Sequence, residues 1–300
     1  MGVSAYHPFR SAKAKAEYLA LYDEAAKDWP VASECRMIDT SYGQTFVRIS
    51  GPVDAPPLVL LPGAGACSLM WRPNIEALSE CYRAYAVDTL INTGSVGRSV
   101  YTRAIKSLDG AVDWLDELFS ALDLGDSINL AGMSYGSWLT SQYALHFQDR
   151  LGKIVLLAPA ATVLPLRPEF FLRMMLVMLV PLRSLYKWFM YWASNDPAQV
   201  DPEAIEVSVN WLMTTKRCFK PGRFPWPTVL KDEELRSIKV PALFVVAENE
   251  RVFSAQKAVQ RLNEVAPHIQ IAVIPNAGHD LLSLQPEMVN KEILQFLAQS

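Results

Sequence analysis

The sequence predicts an α/β protein in which helices flank a mostly parallel central sheet and a further helical unit is inserted late in that sheet. Short apolar runs alternate along the chain with stretches of helical periodicity. This alternation is typical of a parallel sheet that is covered on both faces. After the strand that ends at residue 158, the next predicted core strand begins only about 80 residues later, and this distance is too long for a structureless loop. We therefore expect an insertion with its own helices.

The size and composition of the chain fit one globular α/β unit. The chain has 300 residues, of which 51% are hydrophobic and 20% are charged, and its formal net charge is -3. α/β folds of this length are commonly a single domain, and the composition is that of a globular protein. A slightly acidic chain without a long basic run is a poor candidate for nucleic-acid binding, so we expect no nucleic-acid partner.

The hydropathy pattern indicates neither a signal peptide nor a membrane span. The N-terminus lacks the apolar core of a signal peptide. The most apolar stretch, residues 170–181, is interrupted by Arg173 and is too short to cross a bilayer. We expect a cytoplasmic protein.

The cysteines have neither the spacing of a metal site nor that of a redox motif. In a cytoplasmic protein such residues are expected to be reduced and buried as small hydrophobic side chains. The sequence therefore predicts no metal and no cofactor. The four cysteines are Cys35, Cys67, Cys81 and Cys218.

An N-terminal extension, residues 1–33, precedes the predicted sheet. Within it, Ser11 to Lys27 have helical periodicity, with Tyr18 and Tyr22 among the apolar positions. We expect this helix to pack on the sheet or on the insertion, and a surface for a partner is the alternative.

The predicted core comprises residues 34–160 and 228–300, and the insertion comprises residues 161–227. Core strands are expected over residues 35–41, 45–49, 58–61, 85–88, 128–131, 153–158, 240–247 and 269–274. Core helices are expected over residues 71–79, 108–122 and 137–148 and at the C-terminus, and helices of the insertion over residues 169–180, 182–194 and 203–218.

Residues 132–136, Gly-Met-Ser-Tyr-Gly, separate the strand at 128–131 from the helix that follows. In this context the G-x-S-x-G pattern places a serine on a sharp strand-to-helix turn, where neighbouring bulky side chains would be crowded. The helix N-terminus supplies N–H groups and positive potential where an oxyanion would form. The pattern favours Ser134 as a nucleophile, with an ordinary glycine–serine turn as the alternative.

A serine nucleophile needs a base at neutral pH, and the chain offers four histidines. His7 lies in the extension, His146 lies on the helix after the serine turn, and His268 directly precedes an apolar strand. His279 lies in a loop after a late strand and before the terminal helix. This position predicts that His279 is the base for Ser134.

The third member of such a set is a carboxylate that orients the histidine. With this strand–turn–helix motif the acid lies between the serine and the histidine in the chain. Two candidates, Glu248 and Glu250, follow the strand at 240–247, and Asp280 beside the predicted base is a weaker third candidate. The pattern of residues leaves the choice among them open.

An oxyanion needs two preorganised N–H donors. The backbone N–H of Tyr135, directly after the predicted nucleophile, is the first candidate. The second is the backbone N–H of Ala64, because residues 62–66, Pro-Gly-Ala-Gly-Ala, form a glycine-rich exit from the strand at 58–61. A plain glycine turn is the alternative for that loop.

Together, the serine turn, Leu61-Pro-Gly-Ala-Gly65, Glu248-Asn-Glu250 and Gly278-His279 resemble the α/β-hydrolase superfamily. Asp232 to Pro241, followed by Glu-x-Glu, resembles more narrowly the bacterial carboxylesterases of about 300 residues. The resemblance covers roughly residues 35–299 and implies the α/β-hydrolase fold.

The resemblance also bears on individual residues. In the carboxylesterases a glutamate takes the usual aspartate position, which implies that Glu250 is the acid. The sequence departs from the superfamily at Pro62, where many members have histidine, and at Ala247, where glycine is common. The first departure weakens the assignment of Ala64 to the oxyanion hole, and the second is conservative.

We expect the insertion to act as a mobile helical cap over Ser134. Its first helix is apolar nearly all round, so one side would roof an apolar substrate pocket and its methionines would give adaptable contact. Simple packing between helices is the alternative. The expected pocket residues are Leu69, Met70, Met133, Met174, Met175 and Met178.

The sequence thus predicts a serine hydrolase that cleaves a hydrophobic small-molecule carboxylic ester through an acyl-enzyme intermediate. Within the serine branch, thioesterase, lactonase, C–C hydrolase, aminopeptidase and acyltransferase activities share this residue set. In another class, a ligand receptor would keep the pocket without turnover, and a structural or interaction protein would use the N-terminal helix. A homodimer is compatible with the sequence.

Overall fold

The computed structural model describes residue 4, residues 6–194 and residues 201–299. Residues 1–3, 5, 195–200 and 300, which belong to the predicted extension, insertion and core, lie outside the described residues. The strands are β1 (Glu34–Thr40), β2 (Gly43–Ser50), β3 (Pro57–Leu61), β4 (Arg83–Val87), β5 (Val100–Tyr101), β6 (Ile128–Met133), β7 (Leu151–Leu157), β8 (Ala242–Ala247) and β9 (Gln270–Ile274).

Helices precede, separate and follow these strands. They are α1 (Ala12–Ala26), α2 (Arg72–Cys81), α3 (Leu108–Ala121), α4 (Tyr135–Phe147), α5 (Pro168–Leu179), α6 (Arg183–Ala193), α7 (Pro202–Cys218), α8 (Asp232–Ser237), α9 (Ala255–Val265), α10 (Leu281–Leu284) and α11 (Pro286–Leu297).

The strands form one nine-stranded sheet in the order β1-β2-β4-β3-β6-β7-β8-β9, with the short β5 paired to β2. β1 and β2 pair antiparallel, and β2 pairs antiparallel with β4. From β4 to β9 every neighbouring pair is parallel. Because parallel strands end at the same edge of a sheet, the loops after β3, β6, β8 and β9 emerge together.

The sheet separates two apolar layers. Leu58 and Leu60 of β3 face one layer, whereas Val59 and Leu61 face the other, as the twofold alternation of a strand requires. The first layer includes residues of α2 and α11, and the second includes residues of α3 and α4. Every residue of the central strands β6 and β8 is buried. The doubly covered sheet predicted from the alternation is confirmed.

In its described residues, 161–194 and 201–227, the insertion folds as the helices α5, α6 and α7. Val177, Tyr186, Ile205 and Val209 form a small buried cluster among these helices. The insertion therefore has a minor core of its own, separate from the two layers that cover the sheet.

The N-terminal helix α1 packs on both the sheet and the insertion. Its Tyr18 and Tyr22 are fully buried. The ring of Tyr22 meets that of Phe46 on β2, with centroids 6.1 Å apart. The ring of Tyr18 meets Trp211 of α7 at 5.6 Å and Phe219 at 4.7 Å. The helix thus packs on the sheet and on the insertion at the same time, the two surfaces expected for it from the sequence.

Two expectations from the sequence need correction. Cys67 and Cys218 are buried free thiols, but Cys35 and Cys81 are exposed, because β1 is an exposed edge strand and Cys81 ends α2. The helix α9 and the short elements α8, α10 and β5 were not predicted. The three short elements carry little periodic signal, whereas the 11 residues of α9 do have helical periodicity.

None of the helices within residues 6–194 and 201–299 combines the length and the apolar character that crossing a membrane requires. In the same ranges, no three His, Cys, Asp or Glu side chains cluster so as to hold a metal ion.

Candidate active site

Ser134 lies on a strained turn between β6 and α4. Its φ of 52° and ψ of -108° are values that a residue with a side chain rarely adopts. The Ser134 N–H donates to the carbonyl of Leu157 over 2.8 Å, and the Ser137 hydroxyl contacts the carbonyls of Gly132 and Leu157. These bonds anchor the turn to β6 and β7, and the serine hydroxyl is thereby lifted above the sheet edge.

The two glycines of the turn allow a close approach of backbones. A Cβ on Gly132 would lie 2.3 Å from the carbonyl carbon and oxygen of Gly136, and a Cβ on Gly136 would lie 2.5 Å from the carbonyl oxygen of Leu61. Both distances are far below van der Waals contact. The crowding that the sequence pattern implied is therefore present at both positions.

His279, in the loop after β9, joins the serine to a carboxylate. Its Nε2 is 3.0 Å from the Ser134 Oγ, and its Nδ1 is 2.9 Å from the Oε2 of Glu250. The Glu250 side chain is fully buried, and its Oε1 accepts the backbone N–H of Val252 over 2.8 Å. A continuous chain of hydrogen bonds therefore runs from the carboxylate through the imidazole to the hydroxyl.

The other two acid candidates bind elsewhere. Glu248 is exposed and accepts the backbone N–H of Asn276 over 3.1 Å. It therefore stabilises, from the solvent side, the loop after β9 that carries His279, here called the histidine loop. Asp280 pairs with the Ser194 hydroxyl at 3.1 Å. Of the three carboxylates, the one at position 250 is paired with the ring of His279.

The remaining histidines lie away from Ser134. The His146 ring bonds the Gln142 carbonyl at 2.8 Å within α4, and the His268 ring bonds the Ile238 carbonyl at 2.8 Å. The His7 ring packs edge-on against Tyr101.

The electrostatic surroundings of His279 favour its protonated form. Burial lowers the pKa of the imidazole, but the charge and hydrogen bond of Glu250 and the charge of Asp280 outweigh burial, so the net pKa lies above its ordinary value. Burial raises the pKa of Asp280 and exceeds the lowering by its hydrogen bond with Ser194. The site therefore stabilises an imidazolium, which a general base becomes when it takes a proton.

The loop after β3 borders the serine. A Cβ on Gly63 would lie 3.6 Å from the Cβ of Ser134. The N–H of Gly63 donates to the Met70 sulfur over 3.1 Å, and the N–H of Gly65 donates to the Thr93 hydroxyl over 3.0 Å. The N–H groups on either side of Ala64 are thus engaged within the protein. Tyr135 is the first residue of α4, where helical N–H groups have no intrahelical acceptor.

Two residues that hold this loop were not assigned that role from the sequence. Met70 was expected only as a pocket residue, but its sulfur accepts a hydrogen bond from the loop backbone. Thr93 was not singled out, because it lies in a stretch without periodicity. No motif marks either contact, because Thr93 lies 28 residues from Gly65, and the contact of Met70 with Gly63, seven residues away, depends on how the loop between them folds.

The C-terminus of α6 lies directly on the histidine loop. The backbone N–H of His279 donates to the Ala193 carbonyl over 3.3 Å, and a Cβ on Gly278 would lie 2.6 Å from that same oxygen. The contact between Ser194 and Asp280 adds a side-chain link. The insertion and the loop that carries His279 therefore pack against each other through backbone contacts that leave no space for a larger residue at 278.

The expected pocket residues differ in exposure. Met133 is 4% exposed, Leu69 and Met70 are half-buried beside the core, and Met174 and Met175 are half-buried on α5. Met178, by contrast, is 51% exposed. The half-buried side of α5 also carries Phe170, whose ring stacks at 6.4 Å on Trp192 of α6.

Comparison with known proteins gives a family match over most of the chain. The model of the alpha/beta hydrolase family matches residues 58–292. That range contains the serine turn, the loop after β3, the Glu250 turn and His279.

Two curated relatives from Bacillus subtilis (strain 168) are similar over nearly their whole length. Carboxylesterase YbfK is 32% identical over 292 residues, which is 96% of each chain. The uncharacterized carboxylesterase nap is 34% identical over 282 residues, which is 93% of this chain and 91% of that protein. Among solved structures, the naproxen esterase (carboxylesterase NP) of Bacillus subtilis superposes with a TM-score of 0.86 at 32% identity and covers 96% of this chain and 99% of that one.

Replacing Gly136 by alanine tests the close approach at the serine turn. We expect Gly136→Ala to lower the free energy of unfolding by about 2 kcal/mol, because the new methyl overlaps backbone atoms that cannot rotate away. Urea unfolding measures this change. The control is Gly63→Ala, whose Cβ would meet its neighbours at 3.6 to 3.9 Å, and we expect it to change stability by less than about 1 kcal/mol. Equal stability of the two variants would contradict the crowding argument.

The environment of His279 predicts a titration that NMR can follow. We expect a pKa above the ordinary value for its imidazole and a lower pKa in Glu250→Gln, which removes the main source of the upward shift. Glu248→Gln is the matched control, because that carboxylate does not contact the ring. By linkage, His279 contributes stability that is fully present below its unfolded pKa and is lost as the pH rises through the folded pKa. A His279 titration unmoved by Glu250→Gln would contradict the pairing.

Proposed function

The chain belongs to the alpha/beta hydrolase family and is a carboxylesterase-like, ester-hydrolysing enzyme, and on that premise we propose that Ser134, His279 and Glu250 form its catalytic triad. The observation that carries this proposal is the hydrogen-bond chain from Glu250 through His279 to Ser134. This series of hydrogen bonds supplies a nucleophile, a base and the group that orients the base.

The first half of the proposed reaction forms an acyl-enzyme. Nε2 of His279 accepts the proton of the Ser134 hydroxyl while the oxygen attacks the ester carbonyl carbon. The buried Glu250 carboxylate accepts the Nδ1–H, which fixes the tautomer and stabilises the imidazolium. The imidazolium then gives its proton to the leaving alcohol oxygen as the C–O bond breaks, and the acyl group stays on the serine.

The backbone N–H groups of Ala64 and Tyr135 are the proposed donors to the tetrahedral oxyanion. Tyr135 begins a helix, so its N–H is free of an intrahelical acceptor and lies in the positive potential of the helix N-terminus. The backbone of Gly63, next to Ala64, lies against Ser134. Donors held by the fold need no reorganisation when the charge develops.

The second half of the reaction hydrolyses the acyl-enzyme. His279 removes a proton from water as the water oxygen attacks the acyl carbon, and it then returns that proton to the Ser134 oxygen as the acid leaves. The upward pKa shift of His279 fits this role, because a stabilised imidazolium makes the imidazole a stronger base.

We propose that the insertion serves as the cap of the site and that the substrate is a hydrophobic small-molecule ester. The contacts of Ala193 and Ser194 with the histidine loop support the first part. The half-buried Met174 and Met175 and the buried Met133 support the second. The similarity to a naproxen esterase makes esters of aryl-substituted acids a suitable test class.

Other activities of the serine branch remain alternatives, namely thioesterase, lactonase, C–C hydrolase, aminopeptidase and acyltransferase. They require the same three residues but differ in the bond that is cleaved or in the acceptor of the acyl group. A panel of oxygen esters, thioesters and lactones separates the first two from a carboxylesterase, and an amide substrate, a C–C substrate and an added alcohol acceptor test the other three. A ligand receptor would bind an ester without turnover. The cytoplasmic location and the homodimer stay predictions from the sequence.

Replacing the serine tests the proposed triad. We expect Ser134→Ala to lower p-nitrophenyl ester turnover by several orders of magnitude, because the nucleophile is lost, and to abolish labelling by a fluorophosphonate in intact-mass measurement. The control is Ser141→Ala, since Ser141 lies on α4, directly after the serine turn, and its buried hydroxyl donates to the Trp138 carbonyl. Full turnover by Ser134→Ala, or a fluorophosphonate adduct on another residue, would refute the assignment.

Shortening a residue on the half-buried side of α5 tests the pocket. We expect Met174→Ala to lower kcat/KM by about 10-fold for esters of octanoic acid and of aryl-substituted acids, and to leave kcat/KM for acetate esters within about 2-fold. A large acyl group loses apolar contact in this variant, at roughly 0.8 kcal/mol per methylene. Leu172→Ala on the same helix is the control, since Leu172 is 72% exposed. The same loss for every acyl length would argue against a Met174 contact.

A further inference from the structure

The extension contributes two buried polar contacts that neither the proposed triad nor the sheet requires. Tyr18 and Tyr22 of α1 are fully buried. The Tyr18 hydroxyl lies 2.9 Å from the Ser95 hydroxyl, and the Tyr22 hydroxyl lies 3.0 Å from the Ser68 hydroxyl. Since burying an unpaired hydroxyl is costly, these contacts fix where α1 meets two loops. One is the β3–α2 loop, in which Ser68 begins the short 3-10 helix Ser68–Trp71, and the other is the loop after β4, which carries Ser95.

A single buried carboxylate joins those loops. Asp88 accepts the Ser68 N–H at one oxygen and the Arg98 N–H at the other, each over 2.7 Å. Burial raises the pKa of Asp88, while hydrogen bonds from the Arg98 and Ser68 backbone and from the Ser68 and Tyr22 side chains lower it. A Cβ on Gly97 would lie 2.1 Å from the Asp88 carboxylate, so the second loop closes tightly around it.

Side chains of both loops hold the first part of the β3–α2 loop, which is proposed to carry an oxyanion donor. The loop with Ser68 also contains Met70, whose sulfur accepts the Gly63 N–H, and the loop after β4 contains Thr93, whose hydroxyl accepts the Gly65 N–H. Gly63 and Gly65 are the two neighbours of Ala64. Contacts therefore lead from the Tyr22 hydroxyl to Ser68, along the backbone to Met70, and from the Met70 sulfur to Gly63, whose backbone orients the Ala64 N–H.

The same helix also contacts the insertion. Trp211 of α7 meets the rings of Tyr18 and Tyr22 at 5.6 and 6.2 Å. The guanidinium of Arg98 lies 5.2 Å from the ring centre of Tyr22 and pairs with Asp23 of α1. Tyr22 thus lies where α1, α7 and the two loops meet.

We propose that Tyr22 is a positioning residue for catalysis. It fixes Ser68 and thereby the short 3-10 helix Ser68–Trp71, whose Met70 holds the backbone beside Ala64, so that the Ala64 N–H points toward the reacting carbonyl. The inference rests on the proposed function, because it needs an oxyanion at Ser134. The alternative is that Tyr22 contributes to stability alone. The two differ in a measurable way, since a displaced oxyanion donor slows the chemical step in molecules that are still folded.

Tyr22→Phe tests the proposal, because it removes one oxygen atom and keeps the ring. We expect kcat for p-nitrophenyl butyrate to fall about 10-fold and KM to stay within about 2-fold, with kcat expressed per active site titrated by a fluorophosphonate. The inhibition constant of a trifluoromethyl ketone, whose adduct places an oxyanion at the same donors, is expected to rise in parallel. Tyr143→Phe is the matched control, since it also removes a hydroxyl bonded at 2.9 Å to a side-chain oxygen, that of Asp116.

Ser68→Ala is the second variant, and we expect it to reproduce the fall in kcat. A wild-type kcat per titrated site in both variants, with only a lower melting temperature, would overturn the inference and leave the triad untouched. An equal fall in Tyr143→Phe would also overturn it. Failure of the proposed function is distinguishable, because it would appear as turnover in Ser134→Ala, which the inference does not affect.

Discussion

The close approach of the Gly132–Gly136 turn to the backbone of β3 is the constraint on which the site depends. Because Gly136 has no Cβ, the turn packs directly against Leu61, and because Gly132 has none, the two ends of the turn approach each other and Ser134 adopts a strained conformation. The same approach brings the loop after β3 beside the serine. The strain is sustained by a sheet whose central strands are buried on both faces, so that the core of the protein stabilises a geometry that an isolated turn would not keep.

A buried carboxylate beside a histidine is stable only where its charge is compensated. Glu250 satisfies this condition with a backbone N–H from Val252 and with the ring of His279. The consequence is a raised pKa for His279, which couples a structural requirement to the basicity that the proposed reaction uses. The insertion adds to this arrangement, because the carbonyl of Ala193 holds the backbone of the histidine loop.

The extension and the insertion are parts of one packed structure around the site. Helix α1 binds Ser68 in the loop that carries Ala64 and Ser95 in the loop after β4, and α7 packs on α1 through Trp211. Helix α6 meets the histidine loop from another side. The N-terminal helix and the insertion therefore contact the two loops of the candidate site, namely the loop that carries Ala64 and the loop that carries His279.

The sequence by itself determined the family, the doubly covered parallel sheet and the candidates Ser134 and His279, because backbone requirements and strand ends leave local patterns in the chain. From the residues alone the choice among Glu248, Glu250 and the weaker candidate Asp280 stayed open, and a resemblance was needed to favour Glu250. Only the tertiary structure paired Glu250 with His279, left Cys35 and Cys81 exposed, and brought Met70, Thr93 and Tyr22 to the donor loop. The physical reason is that the contacts of Glu250, Thr93 and Tyr22 join segments far apart in the chain, whereas the Met70 contact depends on how its own loop folds. Neither kind of contact leaves a periodic pattern in the sequence.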